Sequence, residues 1–406
     1  MEPRKPRARA RVSKTWGSPH QHRTDTPSGG ADVLIVEEYI PEYRRRFFEM
    51  LEAALDSESI RLVVAVAMAS PTLAARGDAA GTMPMVRSLR ASSLSIAGRR
   101  LTFRSLSGLA TDSDLVVVGQ ALRHLENYPL LLRQGRGPKV ALWGHGTRHV
   151  KPATRLERFV ERRVTRSAHW FFAYTQRGAD RVVASGFPRE RITVVQNTFD
   201  ARQLAALREG VTADEQLQLR HELGLPEQNV CLYVGALDAS KRIAFLLDAC
   251  SVVASRIPEF ALVVAGDGPQ RPLVEESLAS HSWLRYVGRA TGEQKARLGA
   301  VSDLLLMPGA VGLVAVDSFA LQTPIVTTLW PYHGPEVDYL EDGVNARISG
   351  DSVDRFAQTV EQVLLDRDEL TRLKAACAAA TTRYTLESMV TNFAGGVVAA
   401  LGMPRR

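Results

Sequence analysis

Residues 230–243 read VCLYVGALDASKRI: Val230 to Val234 is apolar throughout and of strand length, Gly235 breaks it, and helical spacing through Phe245, Leu246 and Ala249 begins beyond Lys241 and Arg242. A run with no polar face for water marks a strand buried on both sides, as in a parallel sheet covered by helices. In such sheets the turn after the strand is where ligands bind. Gly235, a helix start with Ser240 as N-cap, and the cations Lys241 and Arg242 bring unpaired N–H groups, a helix dipole and positive charge to one place, which suits a diphosphate. The plainer alternative is that Lys241 and Arg242 form the solvated first turn of a helix.

The same strand-then-helix alternation recurs on both sides. Upstream, the predicted strands are Val33 to Val36, Leu62 to Val66, Leu115 to Val118, Lys139 to Trp143 and Trp170 to Ala173, with Ile192 to Asp200 as a last strand running into a turn. Downstream they are Ala261 to Ala265, Leu284 to Val287, Leu304 to Met307 and Ile325 to Thr327, after the opening Val230 to Val234. The chain therefore reads as α/β, with two doubly wound Rossmann-like domains facing an interdomain cleft. The expected bounds are 31–204 for the first domain, 205–383 for the second, and 384–406 for a C-terminal helix packing back on the first.

The 406 residues suit two domains, and 45% hydrophobic with 23% charged residues excludes collagen, coiled coil and wholesale disorder. Cys231, Cys250 and Cys377 are odd in number and contain no C-x-x-C pair, which argues against a disulfide framework or a zinc site and fits a reducing cytosol. No apolar run approaches the roughly 18–20 residues of a bilayer span. Residues 1–30 carry seven Lys/Arg and no apolar core, so they read as a disordered basic tail, not a secretory signal. The net charge of +7 divides unevenly: residues 1–200 hold 32 Lys/Arg against 19 Asp/Glu, and residues 201–406 hold 19 against 25. A basic first half facing an anionic partner, such as a phospholipid surface, a lipid diphosphate or nucleic acid, is one reading, and a generally Arg-rich composition is the other.

Seven segments in order resemble the GT-B glycosyltransferases, specifically glycosyltransferase family four. They are WGHG at Trp143 to Gly146, ITVVQNTFD at Ile192 to Asp200, YVGALDASKRI at Tyr233 to Ile243, VVAGDGP at Val263 to Pro269, YVGR at Tyr286 to Arg289, MPGAVGLVAVDSFALQTPIV at Met307 to Val326 and HGPEVDYLEDGVNA at His333 to Ala346. The resemblance implies a retaining transferase that moves a sugar from a nucleotide sugar to an acceptor hydroxyl in glycolipid, polysaccharide or other glycoconjugate synthesis. It assigns Gly235 and Lys241 to the diphosphate, Val287 and Gly288 to the base, and His145 to the transferred sugar. The family's turn arginine is replaced by Ala236, with Arg242 as its expected substitute. The family's two glutamates, one for the sugar and one for the ribose, are here Gly309 and Asp317. Asp317 keeps a carboxylate, whereas at Gly309 the amides from Gly309 through Val311 to Gly312, before Leu313 and its helix, are left to bind donor oxygens.

Other residues have two readings each. His145 is a sugar contact or a cap of the following helix. Asp112-Ser113-Asp114 is a metal-binding D-x-D or a polar turn before a strand, and no metal and no cofactor beyond the nucleotide-sugar co-substrate is expected. Tyr43 and Arg44, opening a helix after Pro41, are candidates for the acceptor side or parts of that helix start. The basic stretch Arg155 to Arg166 rests on an anionic membrane face or simply covers the domain. The expected location is cytoplasmic, at the inner membrane face if that helix is a membrane contact, with no nucleic-acid partner. The rivals are a non-catalytic scaffold, suggested by Ala236 and Gly309, and a nucleotide-sugar epimerase or sugar phosphorylase, both disfavoured by the order of the motifs.

Overall fold

The computed structural model of the chain describes residues 30–67, 79–96, 99–106, 108–133, 135–146 and 154–405. The basic tail expected over residues 1–30 thus lies, except for Gly30, outside the described residues. The strands are β1 (Ala31–Glu37), β2 (Ile60–Ala67), β3 (Val86–Leu89), β4 (Ala91–Ile96), β5 (Arg99–Arg104), β6 (Leu115–Gly119), β7 (Lys139–Gly144), β8 (Trp170–Ala173), β9 (Ile192–Val194), β10 (Val230–Val234), β11 (Ala261–Ala265), β12 (Leu284–Gly288), β13 (Leu304–Met307), β14 (Ile325–Thr328) and β15 (Ala346–Ser349).

Among the described residues they form two parallel sheets and one hairpin. The first sheet has the order β3-β2-β1-β6-β7-β8-β9, the second β12-β11-β10-β13-β14-β15, and β4 pairs with β5 antiparallel. The chain thus has the GT-B fold of two Rossmann-like domains. In the second sheet the order reverses between β10 and β13, whose registered pairs are Cys231 with Leu304 and Leu232 with Leu305. That switch point opens a crevice at the carboxyl ends of the two strands. Both strands are buried along their whole length, the consequence of helices on both faces.

The edges depart from the sequence reading. β3, the β4–β5 hairpin and β15 were not expected, because each is an edge or surface strand with too few apolar residues to stand out. β9 ends at Val194, two further backbone bonds follow, from the Val195 amide to the Ala173 carbonyl at 2.8 Å and from the Asn197 amide to the Tyr174 carbonyl at 3.0 Å, and the rest of Ile192 to Asp200 leads on to the helix Ala201–Glu209. Ser240 is not the N-cap of the next helix. The Asp238 carboxylate takes both the Ser240 amide, at 2.9 Å, and its hydroxyl, at 2.6 Å, closing a 3-10 turn over Ala239–Lys241. The helix Ile243–Arg256 starts only after Arg242, which adopts the left-handed conformation at φ 58°.

The C-terminal helix Leu386–Gly402 lies against the helix Glu42–Asp56 and the first sheet. Phe393 stacks on Phe172 with ring centroids 4.3 Å apart and meets Trp143 and Phe47 edge-on at 5.0 and 5.6 Å. The helix ends on Lys139, whose ammonium donates to the carbonyls of Ala400, Leu401 and Met403, groups with no partner inside the helix. No helix among the described residues is long and apolar enough to cross a membrane.

Candidate donor site

The switch point gathers the turn after β10 and the loop after β13. Lys241, at the end of the 3-10 turn, extends across and donates to the carbonyl oxygen of Ala310, while the Ala310 amide donates back to the carbonyl of Ser240 at 2.9 Å. Burial lowers the pKa of the Lys241 ammonium, with Asp238 and Glu336 opposing the shift. A half-buried cation at the mouth of parallel strands, beside the head of the helix Val314–Ala320, is an environment in which a diphosphate is well matched.

Gly309 is held where no side chain fits. A Cβ there would stand 2.4 Å from the Ser240 carbonyl oxygen and 2.7 Å from the Lys241 Cα. The amides offered by the loop are partly committed, which corrects the expectation that all of Gly309 to Gly312 face the donor. Besides Ala310, the Val311 amide donates to His333 Nδ1 at 3.0 Å, and His333 Nε2–H donates to the Thr328 carbonyl at 2.9 Å. Burial lowers the His333 pKa, so the ring stays neutral and can accept that bond. Gly312 and the half-buried Leu313 lead into the helix, while Val311 is buried in the core.

Arg242 does not supply the second phosphate cation. Its guanidinium pairs with Asp351, donates to the Pro308 carbonyl at 3.1 Å and lies between the rings of Phe245 and Trp330, 4.1 and 4.4 Å from their centroids. These contacts brace the start of the helix Ile243–Arg256, which Arg242 opens at φ 58°.

Asp317, three residues into the helix Val314–Ala320, is buried and pairs with Lys295 Nζ at 2.8 Å. Val287 and Gly288 end β12 on the same side of the sheet, where the Gly288 carbonyl accepts from the Gly266 amide at 2.7 Å and, among the described residues beyond its chain neighbours, nothing lies within 4 Å of the Gly288 Cβ position. Gly235 follows β10 and its amide is bound by the Ala265 carbonyl at 3.0 Å. Ala236, in the position of the missing arginine, gives its carbonyl to the Tyr233 hydroxyl at 2.7 Å.

From the first domain, His145 follows β7, is exposed, and sits edge-on to Tyr174 at 4.7 Å. Tyr43 is 45% exposed, but Arg44 is only 8% exposed and turns inward. Its Nη2 donates to Asn197 Oδ1 at 2.5 Å and its guanidinium lies 5.2 Å from the Trp143 ring centroid. The acceptor-side expectation for Arg44 is therefore corrected: it is part of the domain junction. Asp114 lies at the amino end of β6, where its carboxylate takes the Asp32 amide at 2.9 Å, at the opposite edge of the sheet from the cleft.

The junction holds residues to which the sequence reading gave no role. Asn197 donates to Glu336, the Thr175 hydroxyl donates to Asp338 at 2.7 Å, and the Tyr339 hydroxyl donates to the Asn197 carbonyl at 3.1 Å. Asn197 and Glu336 stand inside recognisable motifs, yet they are 139 positions apart and only the fold shows their contact. Lys295 belongs to none of the quoted motifs.

The two-domain architecture and its switch point are those of the GT-B fold. Residues 228–366 match the family model described as glycosyl transferases group 1, a span that holds the whole switch-point loop. The alpha-D-kanosaminyltransferase of Streptomyces kanamyceticus is 25% identical over 66% of this chain and 72% of its own length. The alpha-monoglucosyldiacylglycerol synthase of Acholeplasma laidlawii is 20% identical over 48% and 49%. Among solved structures, HepE of Anabaena in complex with UDP-glucose superimposes with a TM-score of 0.65 at 17% identity, over 91% of this chain and all of its own. A glycosyltransferase from Rickettsia africae does so with a TM-score of 0.66 at 12% identity, over 93% and 100%.

Proposed function

We propose that the protein is a retaining, metal-independent glycosyltransferase that moves a sugar from a nucleoside-diphosphate sugar to an acceptor hydroxyl in glycoconjugate synthesis. The bond from the anomeric carbon to the diphosphate breaks, a bond to the acceptor oxygen forms, and the acceptor proton leaves with the nucleoside diphosphate or to water. The observation that carries this reading is the half-buried Lys241 ammonium beside the Ala310 carbonyl at the β10–β13 switch point. Stabilising the charge that develops on the leaving diphosphate is the largest service such a site performs. Asp317 binds the ribose, Val287 and Gly288 the base, and His145 reaches the sugar from across the cleft. UDP is the first nucleotide to try, since HepE is known in complex with it.

The acceptor is lipid-linked in this reading, with the enzyme cytoplasmic and peripheral at the inner face of the membrane. Support comes from the exposed basic helix Arg155–Ser167 and from the likeness to a diacylglycerol glycoside synthase. Calorimetric titration with UDP, GDP, ADP, dTDP and their common sugars tests the donor reading without knowledge of the acceptor. Micromolar binding of one nucleotide supports it. A folded protein that binds none of them is a non-catalytic scaffold.

A further inference from the structure

The carboxylate that the resembled family offers to the transferred sugar is absent at Gly309, and the close approach of the Ser240–Lys241 main chain leaves no room for one to enter there. Three residues on, the situation reverses. Among the described residues, a Cβ placed on Gly312 would have one neighbour within 4 Å, Glu336 Oε2 at 3.8 Å. The same oxygen stands 3.1 Å from the Cβ position of Gly334. Glu336 therefore reaches the donor loop from the short helix Pro335–Tyr339.

We propose that Glu336 is the sugar-binding carboxylate of this site, its Oε2 receiving a hydroxyl of the transferred sugar beside Gly312 while Asn197 holds its Oε1 from the other domain. The proposal rests on the donor-site reading above and deepens it. Glu336 is 4% exposed, and a carboxyl so deep needs hydrogen-bond partners. Asn197 supplies one through Nδ2 and is itself held by Arg44 Nη2 on Oδ1. The amide has one orientation that satisfies both neighbours, because a guanidinium only donates and a carboxylate only accepts. The chain Arg44–Asn197–Glu336 thus aims one oxygen and leaves the other beside the loop. Burial raises the Glu336 pKa, and its charge is felt at Lys241, so it shares the electrostatic environment of the diphosphate site. Asn197 and Arg44 are positioning residues, which also links the sugar subsite to the closure of the two domains.

The test is to titrate the wild type, Glu336→Gln and Asn197→Ala with UDP and, separately, with UDP-glucose and UDP-N-acetylglucosamine, with thermal melts as a control of folding. Losing a charged acceptor of a sugar hydroxyl should raise the dissociation constant of the preferred nucleotide sugar roughly 10- to 100-fold in Glu336→Gln, and by a smaller factor in Asn197→Ala. Binding of UDP alone should stay within about threefold in both. Should Glu336→Gln fail to fold, the selective loss in Asn197→Ala carries the test. Equal losses for UDP and nucleotide sugar, or no loss for either, overturn the proposal. A folded wild type that binds neither UDP nor any nucleotide sugar instead removes the donor reading on which it stands.

Discussion

The Lys241 ammonium donates to the carbonyl of Ala310, which ties the cation of the turn after β10 to the loop after β13. An ammonium has three donors and a carbonyl takes one, so a diphosphate can be added to this arrangement or can displace it. Lys241→Ala removes a charge-assisted contact worth about 1.5–3 kcal/mol, and UDP affinity should fall roughly 10- to 150-fold. Calorimetry on the folded variant measures this. An unchanged dissociation constant would show that the ammonium serves the loop and not the ligand.

Asp317 is engaged through Oδ1 by Lys295 at 2.8 Å, which fixes the carboxylate on the helix Val314–Ala320. If its other oxygen receives the ribose hydroxyls, UDP should bind the wild type more tightly than 2′-deoxy-UDP does. Asp317→Asn should then shrink that preference to near zero, at a cost of about 1–2 kcal/mol in UDP binding. A preference for the ribonucleotide that survives the substitution counts against Asp317 as the ribose contact.

The central strands were legible because burial on both faces leaves an uninterrupted apolar run between breakers. Val230–Val234, Ala261–Ala265 and Leu304–Met307 have the bounds their sequence suggests. β3 and the β4–β5 hairpin were not, since a strand exposed on one face or at an edge carries polar residues that no local pattern separates from loop. In the site, Lys241 could be read from a glycine turn before a helix. The Asp238 turn that displaces Ser240 from the cap is a local competition between two polar side chains for the same amides, and composition does not decide it. Arg242 could not be read because its fate depends on Asp351, 109 positions away. Glu336 and Asn197 were silent for the same reason.

Two neighbouring carboxyls at the carboxyl end of β1 are pushed in opposite directions. Burial raises the Glu37 pKa to about 7, with Arg44 and Arg104 pulling it back, whereas the hydrogen bond from His124 lowers the Glu38 pKa to about 2. Between pH 4.5 and 7 the folded protein holds a proton at Glu37 that the unfolded chain has released, so this group makes stability fall as pH rises through that window. Glu38 acts below it, where stability is lost as pH drops from 4.5 towards 2. Glu37→Gln should therefore flatten the decline between pH 5 and 8 and exceed the wild type at pH 8 by up to about 3 kcal/mol. Urea midpoints across that range decide it, and parallel curves for the two proteins would refute the buried-carboxyl account.

The helix Arg155–Ser167 begins at a capping box in which the Thr154 hydroxyl takes the Glu157 amide, and so has a well-formed start. Its outer face is unusual for a covering helix. Leu156 is 70% exposed and Phe159 65%, and Leu132 on the neighbouring helix Asn127–Leu132 is 86% exposed. Exposed Arg155, Arg158, Arg162 and Arg163 surround the first two. Apolar tips among arginines suit an anionic bilayer surface, where each cation contributes about 1 kcal/mol and salt screens the sum. Replacing the four arginines by glutamine should lower binding to phosphatidylglycerol vesicles by roughly three orders of magnitude, while Leu156→Ser with Phe159→Ser should remove mainly the fraction that survives high salt. Co-sedimentation at low and high ionic strength separates the two contributions. Variants that still sediment like the wild type, with unchanged melting, would make this a solvated covering helix and leave a water-soluble acceptor as the better account.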